Sequence, residues 1–172
     1  MNINGQYYLI TAVIIASLMV GLISVFNYVG QSQESGIYDL EQELKIESRN
    51  VFDYGMAKEL DESEFDALLS EFVGDYIDYG KQGRNMYFIY GTPDDLTVKG
   101  YQQAAEDVII GGTSNVSITS SAGAFSKTVD IGEADVTLYT SNAGADFSLT
   151  AGRNFYFLIT EELNNDKYVI KW

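Results

Sequence analysis

The spacing of hydrophobic and polar positions changes character twice along the chain. Residues Tyr7 to Val29, YYLITAVIIASLMVGLISVFNYV, carry no charge and show no polar stripe at the 3.6-residue period. As a helix rising ~1.5 Å per residue the run reaches about 35 Å, more than the ~30 Å hydrocarbon core of a bilayer, and it predicts one transmembrane helix. Tyr7, Tyr8, Phe26 and Tyr28 sit at its ends, where aromatic rings favour the membrane interface. The apolar core exceeds the ~7–15 residues of a cleavable secretory signal. Gly30 to Gly36, GQSQESG, then reads as a flexible joint or as a weakened continuation of the helix.

Helical period follows. Ile37, Leu40, Leu44 and Val51 fall on one face, with Asp39, Glu41, Glu43 and Glu47 on the others. Glu41 and Lys45 are four apart with the acid first, a pair worth a few tenths of a kcal/mol. Gly55 reads as an interruption. Asp61-Glu62-Ser63-Glu64 has the spacing of a carboxylate cap with a Glu three residues on, and it predicts a new helix start. Phe65, Leu68, Leu69, Phe72, Val73 and Tyr76 form that helix's core stripe, and Gly80 and Gly83 end it.

From Met86 the pattern becomes one of short runs with alternation. Strands are expected at Met86–Tyr90, Leu96–Tyr101, Val116–Thr119, Thr128–Ile131, Val136–Tyr139, Phe147–Thr150, Asn154–Thr160 and Tyr168–Lys171, separated by Gly, Asn and Asp. Gly91-Thr92-Pro93-Asp94-Asp95 marks a turn in which proline presets φ. Gln102–Ile110 reads as either a short helix or an edge strand. The expected fold is α+β: an amino-terminal transmembrane helix, amphipathic helices, then an antiparallel β-sheet or small β-sandwich head. The divisions are a leader-like residues 1–6, the span 7–29, a helical region 30–84 and a β-rich extracellular head 85–172.

Composition narrows the chemistry. The chain has no cysteine and no histidine, which removes disulfides, thiolate sites and the commonest general base and zinc ligand. The net charge of −15 is uneven: Glu34 to Tyr79 holds fourteen acidic against three basic residues, a net of −11. Such acidity repels phosphate backbones and argues against a nucleic-acid partner. The two acidic loops, Asp130–Asp135 and Asn164–Asp166, offer oxygen ligands without EF-hand spacing and read as hairpin turns, as does Asp94-Asp95. No phosphate loop, dinucleotide fingerprint or zinc spacing is present, so neither an enzyme, a cofactor nor a metal is expected. Thirteen tyrosines and nine phenylalanines serve either as core and sheet-face residues or as a surface for a glycan or a surface protein. Asn115-Val116-Ser117 is a glycosylation sequon or a turn asparagine.

The order of a Gly5-Gln6 junction, a long apolar helix, an amphipathic continuation and a β-rich end resembles the archaeal type IV pilins and their pilin-like relatives. Leu44-Lys45-Ile46-Glu47-Ser48, Val51-Phe52-Asp53-Tyr54-Gly55 and Tyr87-Phe88-Ile89-Tyr90-Gly91 are similar to segments of membrane-anchored proteins of small archaeal lineages. The resemblance implies cleavage between Gly5 and Gln6 and lateral packing of the apolar helix. Tyr7, Ala12, Ala16, Ser17, Gly21, Ser24 and Tyr28 are the expected anchoring and assembly residues, the small ones permitting close helix approach. The expected function is a surface-displayed filament subunit or minor pilin with the bilayer and other subunits as partners, the amino terminus inside and the carboxy-terminal domain outside. The alternative is a single-pass envelope protein whose β-rich domain binds a glycan or surface protein.

Overall fold

The computed structural model describes residues 36–111, 115–132, 135–141, 143–163 and 166–172. The chain divides into two compact units, Met1–Asp39 and Leu40–Trp172. Of the first, residues 36–39 are described and are helical.

Helix α1 is described over residues 36–57, and α2 spans Glu62–Gly80. The cap encoded by Asp61-Glu62-Ser63-Glu64 forms reciprocally: Asp61 Oδ1 accepts the Glu64 N–H at 2.9 Å and Glu64 Oε2 accepts the Asp61 N–H at 3.2 Å. Two otherwise orphaned amides are thereby satisfied, with acidic side chains at the positive end of the helix dipole. The buried face of α2 is Phe65, Leu69, Val73, Ile77 and Gly80, so the stripe runs one turn further than Tyr76, while Leu68, Phe72 and Tyr76 flank it half-buried.

Nine strands follow: β1 (Arg84–Thr92), β2 (Asp95–Gln102), β3 (Glu106–Gly111), β4 (Asn115–Ser120), β5 (Gly123–Val129), β6 (Asp135–Tyr139), β7 (Gly144–Ser148), β8 (Asn154–Leu163) and β9 (Asp166–Lys171). They form two antiparallel sheets, ordered β5-β2-β1-β8-β9 and β4-β3-β6-β7. Six consecutive residues of β1, Met86 to Gly91, are buried, so both faces of that strand need cover. Tyr87 and Ile89 face the second sheet and join Leu96, Val98 and Leu158 with Val108, Ile110, Val136, Leu138 and Phe147 in one core. Phe88, on the opposite face, meets Phe155 and Phe157 at 6.2 and 6.5 Å between ring centroids. Phe155 in turn contacts Phe52 of α1 and Phe72 of α2. The second unit is therefore layered: helices, five-stranded sheet, four-stranded sheet. Lys99 on β2 ties the first two layers by donating to the Ser70 carbonyl of α2 at 2.6 Å.

The expected fold class is corrected accordingly. In place of a membrane helix leading to one sheet or a small sandwich, the described residues form two helices and two antiparallel sheets. No helix among the described residues is long and apolar enough to cross a membrane. The segment Tyr7–Val29 lies outside the described residues. The physical reason for the added layer is that β1 and β8 are apolar at successive positions, a pattern of strands covered on both sides. Gln102–Ile110 resolves into the end of β2 and β3, which is an interior strand of its sheet. The expected Thr128–Ile131 strand starts earlier, at Gly123; its alternate residues are largely exposed on this edge, which left no clear apolar period.

Gly55 does not interrupt α1, which continues to residue 57. Its role is close packing: a Cβ there would lie 2.1 Å from Cε2 of Phe65. That ring is held by the Phe52 ring at 5.2 Å and the Arg153 guanidinium at 4.7 Å, so it has little room to retreat. Gly55→Ala should gain up to ~1 kcal/mol of helix propensity and lose more through overpacking, for a net destabilisation of about 1–2 kcal/mol in chemical denaturation. A raised unfolding midpoint would contradict this packing.

Candidate functional site

The inward-facing positions of three neighbouring strands all turn polar at the same end of the sandwich. Along β1 the series toward the second sheet runs Ile89, Tyr87, Asn85; along β2 it runs Leu96, Val98, Gly100, Gln102; along β8 it runs Tyr156, Leu158, Thr160, Glu162. The registers Asn85↔Thr160 and Tyr87↔Leu158 set β1 and β8 side by side here. Glu106 begins β3 across from them in sequence order, ahead of the apolar Val108 and Ile110. Gln102 and Thr160 are two of the four buried polar residues among the described set, at 1% and 4% exposure.

The Tyr87 hydroxyl accepts from Gln102 Nε2 at 3.4 Å and also bonds Thr140 of the β6–β7 turn. Burial raises its pKa, the Gln102 bond opposes this, nearby Glu106 raises it further and Thr140 lowers it. Outside this layer lies a cleft of about 300 Å³ lined by Asn85, Gln103, Glu106, Thr160, Glu162 and Lys167, with Gly83, Ala104 and Glu161 completing its wall. Its rim is fixed by hydrogen bonds. Asn85 Oδ1 accepts the Gln103 backbone N–H at 2.8 Å, and Gln103 Nε2 donates to the Lys81 and Arg84 carbonyls at 2.8 and 3.3 Å. Arg84 and Glu161, opposed across β1 and β8, lie 3.2 Å apart as a part-buried ion pair without the alignment of a hydrogen bond.

Two other hollows differ in character. One, of about 290 Å³ between α1 and α2, has Phe72, Tyr76 and Tyr79 rimmed by Glu43, Glu47 and Asp75; burial, then Glu43 and Glu47, push the Tyr76 phenol up. The other lies beside Gly55, Phe65 and Arg153. Arg153 pairs with Asp66 and donates to the Glu62 carbonyl at 2.8 Å, pinning the β7–β8 loop to the start of α2. Asn154 organises the same loop, its Nδ2 donating to the Thr150 and Gly152 carbonyls at 3.0 and 2.9 Å while Oδ1 accepts the Thr150 N–H at 2.8 Å. Both act structurally and neither was singled out from the sequence.

Of the residues expected to carry function, Gly5, Gln6, Tyr7, Ala12, Ala16, Ser17, Gly21, Ser24 and Tyr28 lie outside the described residues. Asn115 begins β4, paired with Gly111. The acidic loop Asp130–Asp135 and the turn Asn164–Asp166 are described in part, and among the described residues no three acidic side chains gather as a metal site. The residues of the cleft were not selected from the sequence; the only signal was the shift from apolar to polar at alternate positions near the ends of β1, β2 and β8. Donors and acceptors in a preformed hollow equip this site to bind a polar molecule. Comparison of the chain with protein-family models, curated proteins and solved structures finds no match in any of the three.

The phenols of Tyr87 and Tyr90 are both raised above the ordinary value near 10, chiefly by burial. For Tyr90 the hydrogen bond with Ser70 opposes burial and Asp66 adds to it. Because the folded-state values exceed the unfolded one, these groups stabilise the fold fully below pH ~10, and that contribution is lost as pH rises through the folded values. Urea midpoints should therefore decline above pH ~10, with phenolate absorbance from these residues appearing together with unfolding. Their ionisation near pH ~10 with near-ultraviolet dichroism intact would contradict the burial argument.

Proposed function

We propose that the protein is a surface-displayed, pilin-like structural subunit that acts through assembly and contact and performs no chemistry. The observation supporting this reading is the order of parts: an uncharged run from Tyr7 to Val29, a polar joint, helix α1, then a helix-backed β head. In this reading the apolar run packs against copies of itself, Ala12, Ala16, Ser17, Gly21 and Ser24 allowing close approach. The acidic stretch from Glu34 to Tyr79 keeps the region beyond it soluble by mutual repulsion.

A second reading has its own support in the polar cleft at the end of the sandwich. Here the protein stands at the surface singly, and its head binds a glycan.

Intact-mass measurement of the native protein, with electron microscopy of the same preparation, tests the leading reading. Removal of Met1 to Gly5 and filaments built on contacts between the Tyr7–Val29 segments are expected. Met1 retained on a protein that stays monomeric in detergent would overturn it.

A further inference from the structure

We infer that the cleft binds a neutral polyhydroxylated ligand, a hexose-sized sugar unit, through Asn85, Thr160, Glu162 and Lys167. The inference deepens the glycan reading and rests on it.

Thr160 is 4% exposed as a residue and lines the cavity, where its hydroxyl can both donate and accept. A polar molecule in the cleft therefore meets that hydroxyl. Asn85 stands beside it across the β1–β8 register. The bond from the Gln103 N–H assigns the Asn85 amide, since that N–H requires the oxygen, and leaves Nδ2 as a donor on a residue lining the cleft. Glu162 adds an acceptor and Lys167 a donor.

This mixture selects the ligand class. Apolar molecules would leave Thr160 and Asn85 unpaired. Anions meet Glu106 and Glu162 against Lys167 alone, because Glu161 is matched by Arg84. An ammonium only donates, so it leaves the Asn85 amide and Lys167 unanswered. A sugar hydroxyl both donates and accepts, as the set demands. The volume of about 300 Å³ is at the small end for ligand pockets and suits one ring rather than an extended chain.

The test titrates the isotope-labelled full chain, in a detergent that is not a glycoside, with the methyl glycosides of glucose, galactose and mannose, and separately with spermidine and with dextran and mannan as extended glycans. Saturable amide shifts centred on Asn85, Thr160 and Lys167 are expected with at least one glycoside. Thr160→Val, which keeps the shape and removes the hydroxyl, should weaken binding about tenfold, the ratio set by one ordinary hydrogen bond, with the unfolding midpoint unchanged or raised. Asn85→Asp, which keeps the acceptor for Gln103 and removes the donors, should weaken it as well. Silence of these amides with all three glycosides, undiminished binding by both variants, or shifts with spermidine alone would overturn the inference. Binding of an extended glycan that leaves these amides unshifted would overturn the cleft while sparing the glycan reading; no binding of glycosides or extended glycan would overturn both.

Discussion

The constraint on which the rest of the head depends is that β1 and β8 are apolar on both faces. A strand with one wet face can close a two-layer structure, but Tyr87, Phe88, Ile89 and their neighbours Phe157, Leu158 and Ile159 are all buried to 1% exposure or less. Each large apolar side chain removed from water contributes about 1.5–3 kcal/mol, so leaving either face bare would forfeit several such terms. The head meets this with two different covers. The second sheet supplies Val108, Ile110, Val136 and Leu138 to one face. Helices α1 and α2 cover the other through aromatic rings centred on Phe155, with Trp172 closing the end of the cluster.

The helical layer is held by interactions of different reach. The Asp61 capping box sets where α2 starts, and Lys99 reaching the Ser70 carbonyl sets where α2 sits on the sheet. Arg153 joins both ends of this arrangement, pairing with Asp66 while its guanidinium covers the Phe65 ring. Gly55 belongs to the same group of contacts because only a residue without a Cβ lets α1 approach that ring. The acidic excess in this part of the chain lies mainly on the outer helix surfaces, where Glu43, Glu47, Glu71 and Asp75 are exposed. Repulsion there opposes association of these faces and does little against the apolar contacts beneath.

Legibility from sequence followed the range of the interaction. The Asp61–Glu64 cap was readable because all its atoms lie within one helical turn. The apolar runs of β1 and β8 were readable as strands, yet the number of layers was not, because it depends on pairing β1 with a strand from the far end of the head and on which strands join the second sheet. Gly55 was misread because propensity treats glycine as a break, whereas its neighbour in space is Phe65. β5 was placed late because Gly123 to Thr128 is an edge segment with little buried apolar surface. The cleft was hidden for a similar reason: NFYFLITEEL reads as an apolar strand, and nothing local marks Thr160 as lining a hollow.

The polar end of the sandwich can be read as the consequence of sheets that remain apolar only as far as they cover one another. Where the second sheet stops, at Glu106 on β3 and the β6–β7 turn at Thr140, inward positions on β1, β2 and β8 lose their apolar partners. Structure alone would be served equally well by letting water reach Asn85 and Glu162. Closing the last buried layer with the Tyr87–Gln102 hydrogen bond already seals the core. Thr160 stands at the same boundary, a residue 4% exposed that lines the cleft just beyond the sealed core.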